Sequence, residues 1–166
     1  MSRGFVKEED QEEVPMVPPR ADLPDGVINY VTQVGMNALL EEREALTTER
    51  EHLEITNEKE RRIVVNHINA KLQLLNNRIA TAKIVDLKKQ PQNEVRFGAL
   101  VALKIGNAMT VQNYQIVGVD EADIAKGKIA FISPIAKILV NKKVGEYATL
   151  KLPTEERVFE IKEIAY

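Results

Sequence analysis

Residues 32–54 read TQVGMNALLEEREALTTEREHLE, and residues 58–83 read EKERRIVVNHINAKLQLLNNRIATAK. In the first stretch Met36, Leu39, Arg43, Leu46, Arg50 and Leu53 recur at 3-4-3-4-3 spacing; in the second, Val65, Ile68, Leu72, Leu75, Ile79 and Ala82 do the same. That spacing keeps one narrow stripe of each helix turned toward a partner. Both patterns lapse between Glu54 and Glu58. So short a break predicts two helices folded back on each other as an antiparallel coiled-coil hairpin. Thr32 is placed to cap the first helix, and Thr56 or Asn57 the second; Glu60, three residues after Asn57, gives a loose capping box. The first helix is expected to end near Glu54 and the second near Lys83. Arg43 and Arg50 sit on the seam, where their stems cover apolar surface and their guanidinium groups are expected to reach Glu on the facing helix.

Before the hairpin, residues 1–27 hold three Lys/Arg against seven Asp/Glu, together with Pro15, Pro18, Pro19 and Pro24. Proline removes backbone donors and like charges repel, so this stretch reads as a disordered acidic tail. Residues 28–86 form the hairpin unit, with eight Lys/Arg against nine Asp/Glu. Residues 87–93, with Pro91, read as a linker.

From Glu94 the period changes to two. Val95, Phe97 and Ala99 alternate with Arg96 and Gly98, and Val101, Leu103 and Ile105 continue after an irregularity. Further strands are expected at 111–119, 128–132, 147–152 and 157–164. Ser133-Pro134 predicts a short helix, with Ser as N-cap and Pro in its first position, carrying Ile135, Ile138 and Leu139. Residues 94–166 therefore read as a small antiparallel sheet domain with one short helix, and the whole chain as α+β.

Composition excludes several function classes. With no Cys, there is no disulfide, thiol nucleophile or thiolate-ligated zinc. Aromatics are 5% of residues with no Trp, which argues against a base-stacking nucleic-acid surface. No phosphate loop, GxSxG elbow or HExxH is present, and His52 and His67 lack a metal partner set. No run reaches the ~18 apolar residues of a membrane span, and the first ten residues have no signal-peptide core, so a cytoplasmic protein is expected.

The stretches Ala82-Lys83-Ile84-Val85-Asp86, Val95-Arg96-Phe97-Gly98-Ala99, Tyr114-Gln115-Ile116-Val117-Gly118 and Asp120-Glu121-Ala122-Asp123 follow the hairpin in that order. Ile132-Ser133-Pro134-Ile135-Ala136-Lys137-Ile138-Leu139, Lys143-Val144-Gly145-Glu146 and Ile164-Ala165-Tyr166 come after them. Over residues 30–166 this series resembles the Gre-type transcription elongation factors (GreA/GreB), here as an N-terminally extended branch. The resemblance implies a coiled-coil finger followed by an FKBP-like domain, and bacterial RNA polymerase as the partner. In that family the C-terminal domain docks at the rim of the polymerase secondary channel. The finger enters the channel, and acidic residues at its tip help hold a second Mg²⁺ at the polymerase active site, so that the polymerase cleaves backtracked RNA. The factor would then be no enzyme itself, would own no cofactor beyond that shared Mg²⁺, and would meet transcript RNA and elongation-complex DNA only indirectly.

The fingertip departs from the family pattern. The cleavage motif reads approximately Asp-Leu-x-Glu-Asn-Ala-Glu/Asp-Tyr; the nearest stretch here, Glu51 to Glu58, keeps an acidic pair, Glu51 and Glu54, without Asn-Ala-x-Tyr. At i,i+3 the two carboxylates are expected on one helix face, which makes them the candidate catalytic residues. Each helix also falls about two turns short of the family's finger, withdrawing the tip by on the order of 10 Å at ~1.5 Å per residue. That shortness resembles Rnk, the regulator of nucleoside diphosphate kinase, and leaves a non-cleaving occupant of the channel as the alternative. A coiled-coil adaptor for another protein is a further one. Ser133-Pro134 matches the family's polymerase-docking loop, although Ile132 stands where the family often has Asp. Lys126, Lys128, Lys137, Lys142 and Lys143 flank it in sequence. Prolyl isomerase chemistry is discounted, because Phe97, Tyr114, Phe131 and Phe159 fit strand-core roles rather than an aromatic pocket.

Overall fold

The computed structural model describes residues 14–166. Two helices form the expected hairpin: α1, Gln33–Glu51, and α2, Glu58–Thr81. Thr32 caps α1 by accepting from the Gly35 N–H, and Asn57 caps α2 by accepting from the Glu60 N–H. Leu39, Ile68, Leu72 and Leu75 are the buried part of the seam. The hairpin's two ends are tied by a two-residue parallel ladder, in which β1, Tyr30–Val31, pairs with β2, Lys83–Ile84. Asn29 and Val31 carbonyls accept from Lys83 and Val85 N–H groups at its two margins.

The second half is a five-stranded sheet, β3 (Leu100–Ile105), β4 (Val111–Val117), β5 (Lys128–Ala130), β6 (Tyr147–Lys151) and β7 (Glu156–Ala165), in the order β5-β4-β3-β7-β6. The helix α3, Pro134–Leu139, is capped by Ser133. Val101, Leu103, Ile116, Phe159 and Ile161 make the centre of the core, with Ala136 and Leu139 of α3 packed against them. The irregularity expected within the first long strand is a register shift between Ala102 and Leu103 against β7. Below the sheet, the Tyr166 hydroxyl donates to the Glu94 carbonyl at 2.6 Å and accepts from the Arg96 N–H at 2.7 Å, fastening the last residue to the entry of this half.

Several expectations change. The sheet is mixed: β5 runs parallel to β4, because the 3₁₀ turn Ile124–Lys126 and its flanking loops carry the chain back to the start of the neighbouring strand. Residues 94–99 are no strand. Gly98 has φ +88°, and the Ala99 N–H turns back to the Arg96 carbonyl, so the apolar alternation there belongs to a buried turn. A Cβ on Gly98 would lie 2.0 Å from Leu87, which packs into the space the glycine leaves. The reading of residues 1–27 as a free tail falls partly on residues 1–13, outside the described residues. Residues 14–27 lack helix and strand, as their prolines dictate, yet Arg20 is largely buried and ion-paired to two separate elements.

Leu75 is fully buried in the seam. Leu75→Ala is expected to lower unfolding stability by ~2–5 kcal/mol, the range for a buried leucine that leaves a cavity, as measured by urea denaturation followed at 222 nm.

Candidate functional site

Three surfaces carry the candidate residues: the fingertip, the α3 region, and the joint between hairpin and sheet.

At the fingertip, α1 stops at Glu51 and His52 is its C-cap; residues 53–57 are non-helical. Glu54 therefore does not share a helix face with Glu51, a correction to the i,i+3 expectation. The cause is local. The His52 N–H and its Nδ1 both turn to the Thr48 carbonyl, closing the last turn before Glu54 is reached. Glu51, Glu54, Glu58 and Glu60 are all exposed and make no ion pair among the described residues. Glu58 and Glu60 occupy the first turn of α2, where the helix dipole favours negative charge. Among the described residues no three His, Asp or Glu side chains converge as a metal site.

Below the tip the seam turns polar. Arg50 donates to the Asn69 side-chain carbonyl at 2.7 Å rather than to a glutamate, and Arg43 forms no ion pair among the described residues. Together with Thr47, Gln73 and Asn76 they line a shallow cleft of about 410 Å³.

Around α3, Ser133 accepts from the Ala136 N–H at 3.3 Å and Pro134 is exposed at the helix start. The five lysines divide into two sets. Lys126 pairs with Asp123, and Lys128 pairs with Glu121. Lys137, Lys142 and Lys143 make no ion pair among the described residues, so the free positive charge lies on α3 and the turn after it. That turn is shaped by Asn141, with φ 70°, and the Lys142 carbonyl accepts from the Val95 N–H at 2.8 Å.

The joint was missed as a unit by sequence reasoning. Two adjacent carboxylates after β4 hold the two ends of the hairpin. Glu121 accepts a short hydrogen bond from the Thr32 hydroxyl at the start of α1 and pairs with Lys128 at 3.1 Å. Asp120 accepts from Arg20 Nε at 2.9 Å, and Arg78 Nε of α2 lies 3.0 Å from its other oxygen, an ion pair without hydrogen-bond alignment. The Asp120 carboxylate is 8% exposed and Arg78 12%, so these charges are held largely out of water. Hydrogen bonding to Glu42 is the main influence raising the Arg20 pKa above its ordinary value, and Asp120 adds to it; burial acts in the opposite direction. Tyr30, Phe97 and Phe131 complete the joint, with ring centroids 5.6–5.8 Å apart. Neither Phe97 nor Phe131 lies in a strand, a correction to their expected strand-core roles; both pack against Tyr30, the hairpin's entry residue. The signals in the sequence were the glycines. A Cβ on Gly118 would come within 2.5 Å of the Tyr30 carbonyl oxygen, and one on Gly35 within 2.7 Å of a Glu121 carboxylate oxygen.

The family model described as "Transcription elongation factor, GreA/GreB, C-term" matches residues 90–166. The transcription elongation factor GreA of Maricaulis maris is 32% identical over 125 residues, 74% of this chain and 80% of that protein. GreA of Hyphomonas neptunium is 36% identical over 99 residues, 60% of this chain and 63% of that protein. Among solved structures, the elongation factor GreA/GreB of Nitrosomonas europaea overlaps with a TM-score of 0.42 at 17% identity, over 82% of this chain and 98% of that one. GreA factor homolog 1 of Thermus thermophilus gives 0.38 at 20%, with the same coverage. Overlaps of that size add nothing to the sequence match.

Gly118→Ala places a methyl group against backbone that has no flexible end to yield. We expect a loss of ~1–3 kcal/mol in denaturant unfolding, the usual range for overpacking.

Proposed function

The chain belongs to the GreA/GreB family of transcription elongation factors, and from that premise we propose that it binds bacterial RNA polymerase at the secondary channel with the hairpin inserted. The observation that carries this reading is the hairpin itself, whose base is held on the sheet while its acidic tip stays unpartnered. At ~1.5 Å per residue, α1 alone extends roughly 28 Å, long enough to reach into a channel from a docked base. Exposed Pro134 and the uncompensated Lys137, Lys142 and Lys143 form the docking side, suited to an acidic or amide-rich partner surface. Transcript RNA and elongation-complex DNA are then met only through the polymerase.

The residues at the tip suit a shared metal better than an owned one. Mg²⁺ keeps several waters and takes one or two protein carboxylates beside a phosphate. Glu51 and Glu54 offer two exposed carboxylates with no cation competing for them, and no third ligand. Held between polymerase and tip, Mg²⁺ would supply the activation of a water and the stabilisation of a leaving oxygen. The chain's own part is to present the carboxylates and to exclude other occupants from the channel. No chemistry on a group of its own is assigned to it.

A second reading is favoured by one feature: Glu54 lies beyond the helix end, in a six-residue turn region from His52 to Asn57. A carboxylate on such a turn is less firmly positioned than one on a helix, and ligation to Mg²⁺ requires about 2.1 Å. In this reading the chain occupies the channel without promoting cleavage.

Stalled, backtracked elongation complexes distinguish the two. Addition of the protein is expected to release 3′ cleavage products, and Glu51→Ala with Glu54→Ala to slow that release by at least about tenfold while leaving polymerase binding intact. No cleavage, combined with competition against a cleavage-active GreA, would establish the blocking role. Failure to retain core polymerase in a pull-down would refute both.

A further inference from the structure

Residues 14–27 lie against the joint rather than beside it. The Arg20 guanidinium spends three donors on two elements. Its Nε donates to Asp120 at 2.9 Å, and Nη1 and Nη2 grip Glu42 on α1 at 2.9 and 3.1 Å. Arg78 of α2 donates to the Ala21 carbonyl of the same segment while pairing with Asp120. The segment therefore touches both helices and the turn after β4 within two consecutive residues. Pro18 and Pro19 form one wall of an open cleft of about 410 Å³ whose other lining includes Leu46, Lys71, Leu74 and Val119. Proline narrows the unfolded ensemble of such a segment, so less entropy is lost when it lies down.

We propose that residues 14–27 form an intramolecular strap that fixes the angle of the hairpin on the sheet, with Arg20 as its fastening. The other attachments lie at the base: the Thr32–Glu121 hydrogen bond, the Arg78–Asp120 ion pair and the Tyr30 ring all sit near the point about which the hairpin would pivot. Glu42 lies ten residues further along α1 than Thr32, about 15 Å by helix rise. A tie at that distance resists rotation far better than one at the pivot. Arginine remains charged at all working pH values, and the fastening responds to ionic strength and to competing anions. The proposal concerns the free protein and holds whether or not the chain binds polymerase.

The absence of native Cys makes the test direct. Full-length protein carrying Thr56→Cys at the tip and Thr154→Cys at the β6–β7 turn, both exposed positions, is spin-labelled, and the distance distribution between labels is measured. A single narrow distance is expected, with Arg20→Ala at least doubling its width or adding a second distance at unchanged helicity. An unchanged distribution would overturn the proposal, because the base attachments would then suffice. If Arg20→Ala loses helicity, Glu42→Gln decides, since it removes only the half-exposed partner. In Glu42→Gln, which keeps Arg20, trypsin cleavage after Arg20 is expected to quicken by about threefold, in line with the loss of one partly exposed pair, and an unchanged rate overturns the strap.

Discussion

Two neighbouring carboxylates, Asp120 and Glu121, set the geometry on which the rest of the molecule depends. Buried charge is tolerated only when paired, and removal of one partner from such a pair typically costs ~3–5 kcal/mol. Here the pairing demand is met from both ends of the hairpin at once. Glu121 takes the hydroxyl that also caps α1, while Asp120 takes Arg78 from the last turns of α2. The turn after β4 can satisfy both only with the hairpin seated over it, so electrostatic satisfaction selects an orientation that hydrophobic contact alone would leave loose. The close backbone approach at Gly118 belongs to the same constraint, because only a residue without Cβ lets Tyr30 come so near.

The hairpin is graded along its length. Near the base, Leu39, Leu72 and Leu75 are buried and the seam is dry. Toward the tip, Arg43, Arg50 and Asn69 replace apolar side chains, and Arg50 donates to the Asn69 side-chain carbonyl. A buried leucine contributes roughly 1.5–3 kcal/mol, whereas a largely exposed polar contact contributes well under that. The distal third is therefore the low-stability end, where local opening begins. A base that is tightly determined and a tip that adapts would suit the proposed insertion of the finger into a partner.

Much of the fold was legible because periodicity reports burial. The 3-4 spacing located both helices, and side-chain chemistry located the caps Thr32 and Ser133; for α2 it offered Thr56 or Asn57, and Asn57 is the one that accepts the N–H. Where periodicity misled, a backbone feature had intervened. Residues 94–99 alternate like a strand, but Gly98 at positive φ folds them into a turn whose apolar side chains are buried for a different reason. The α1 end was placed three residues late, since Leu53 continues the heptad pattern although the helix has already closed on Thr48. Charge pairing was the least legible. Asp120 and Arg20 are a hundred residues apart, and nothing local marks which arginine in the chain will meet which acid. The lysines around α3 show the same limit: sequence grouped five, and only the folded chain separates the two held by Asp123 and Glu121 from the three left free.

The joint, the helix length and the tip turn act on function in series, and they differ in tolerance. The joint fixes direction, and a degree of rotation there moves the tip, about 28 Å away, by roughly 0.5 Å. Helix length fixes depth in steps of about 1.5 Å per residue. Metal ligation is the strictest, accepting deviations of about 0.2 Å. In the proposed reading, a scaffold can therefore bring the finger to the channel while Glu51 at the helix end and the turn beyond it decide whether a carboxylate reaches the metal. In this chain the first two determinants are built from buried, paired and capped residues, and the third rests on an exposed turn. In the proposed reading, binding and cleavage support are accordingly separable: binding would depend on residues whose positions are held by packing, and cleavage support on Glu51, at the end of α1, and Glu54, in the turn beyond it.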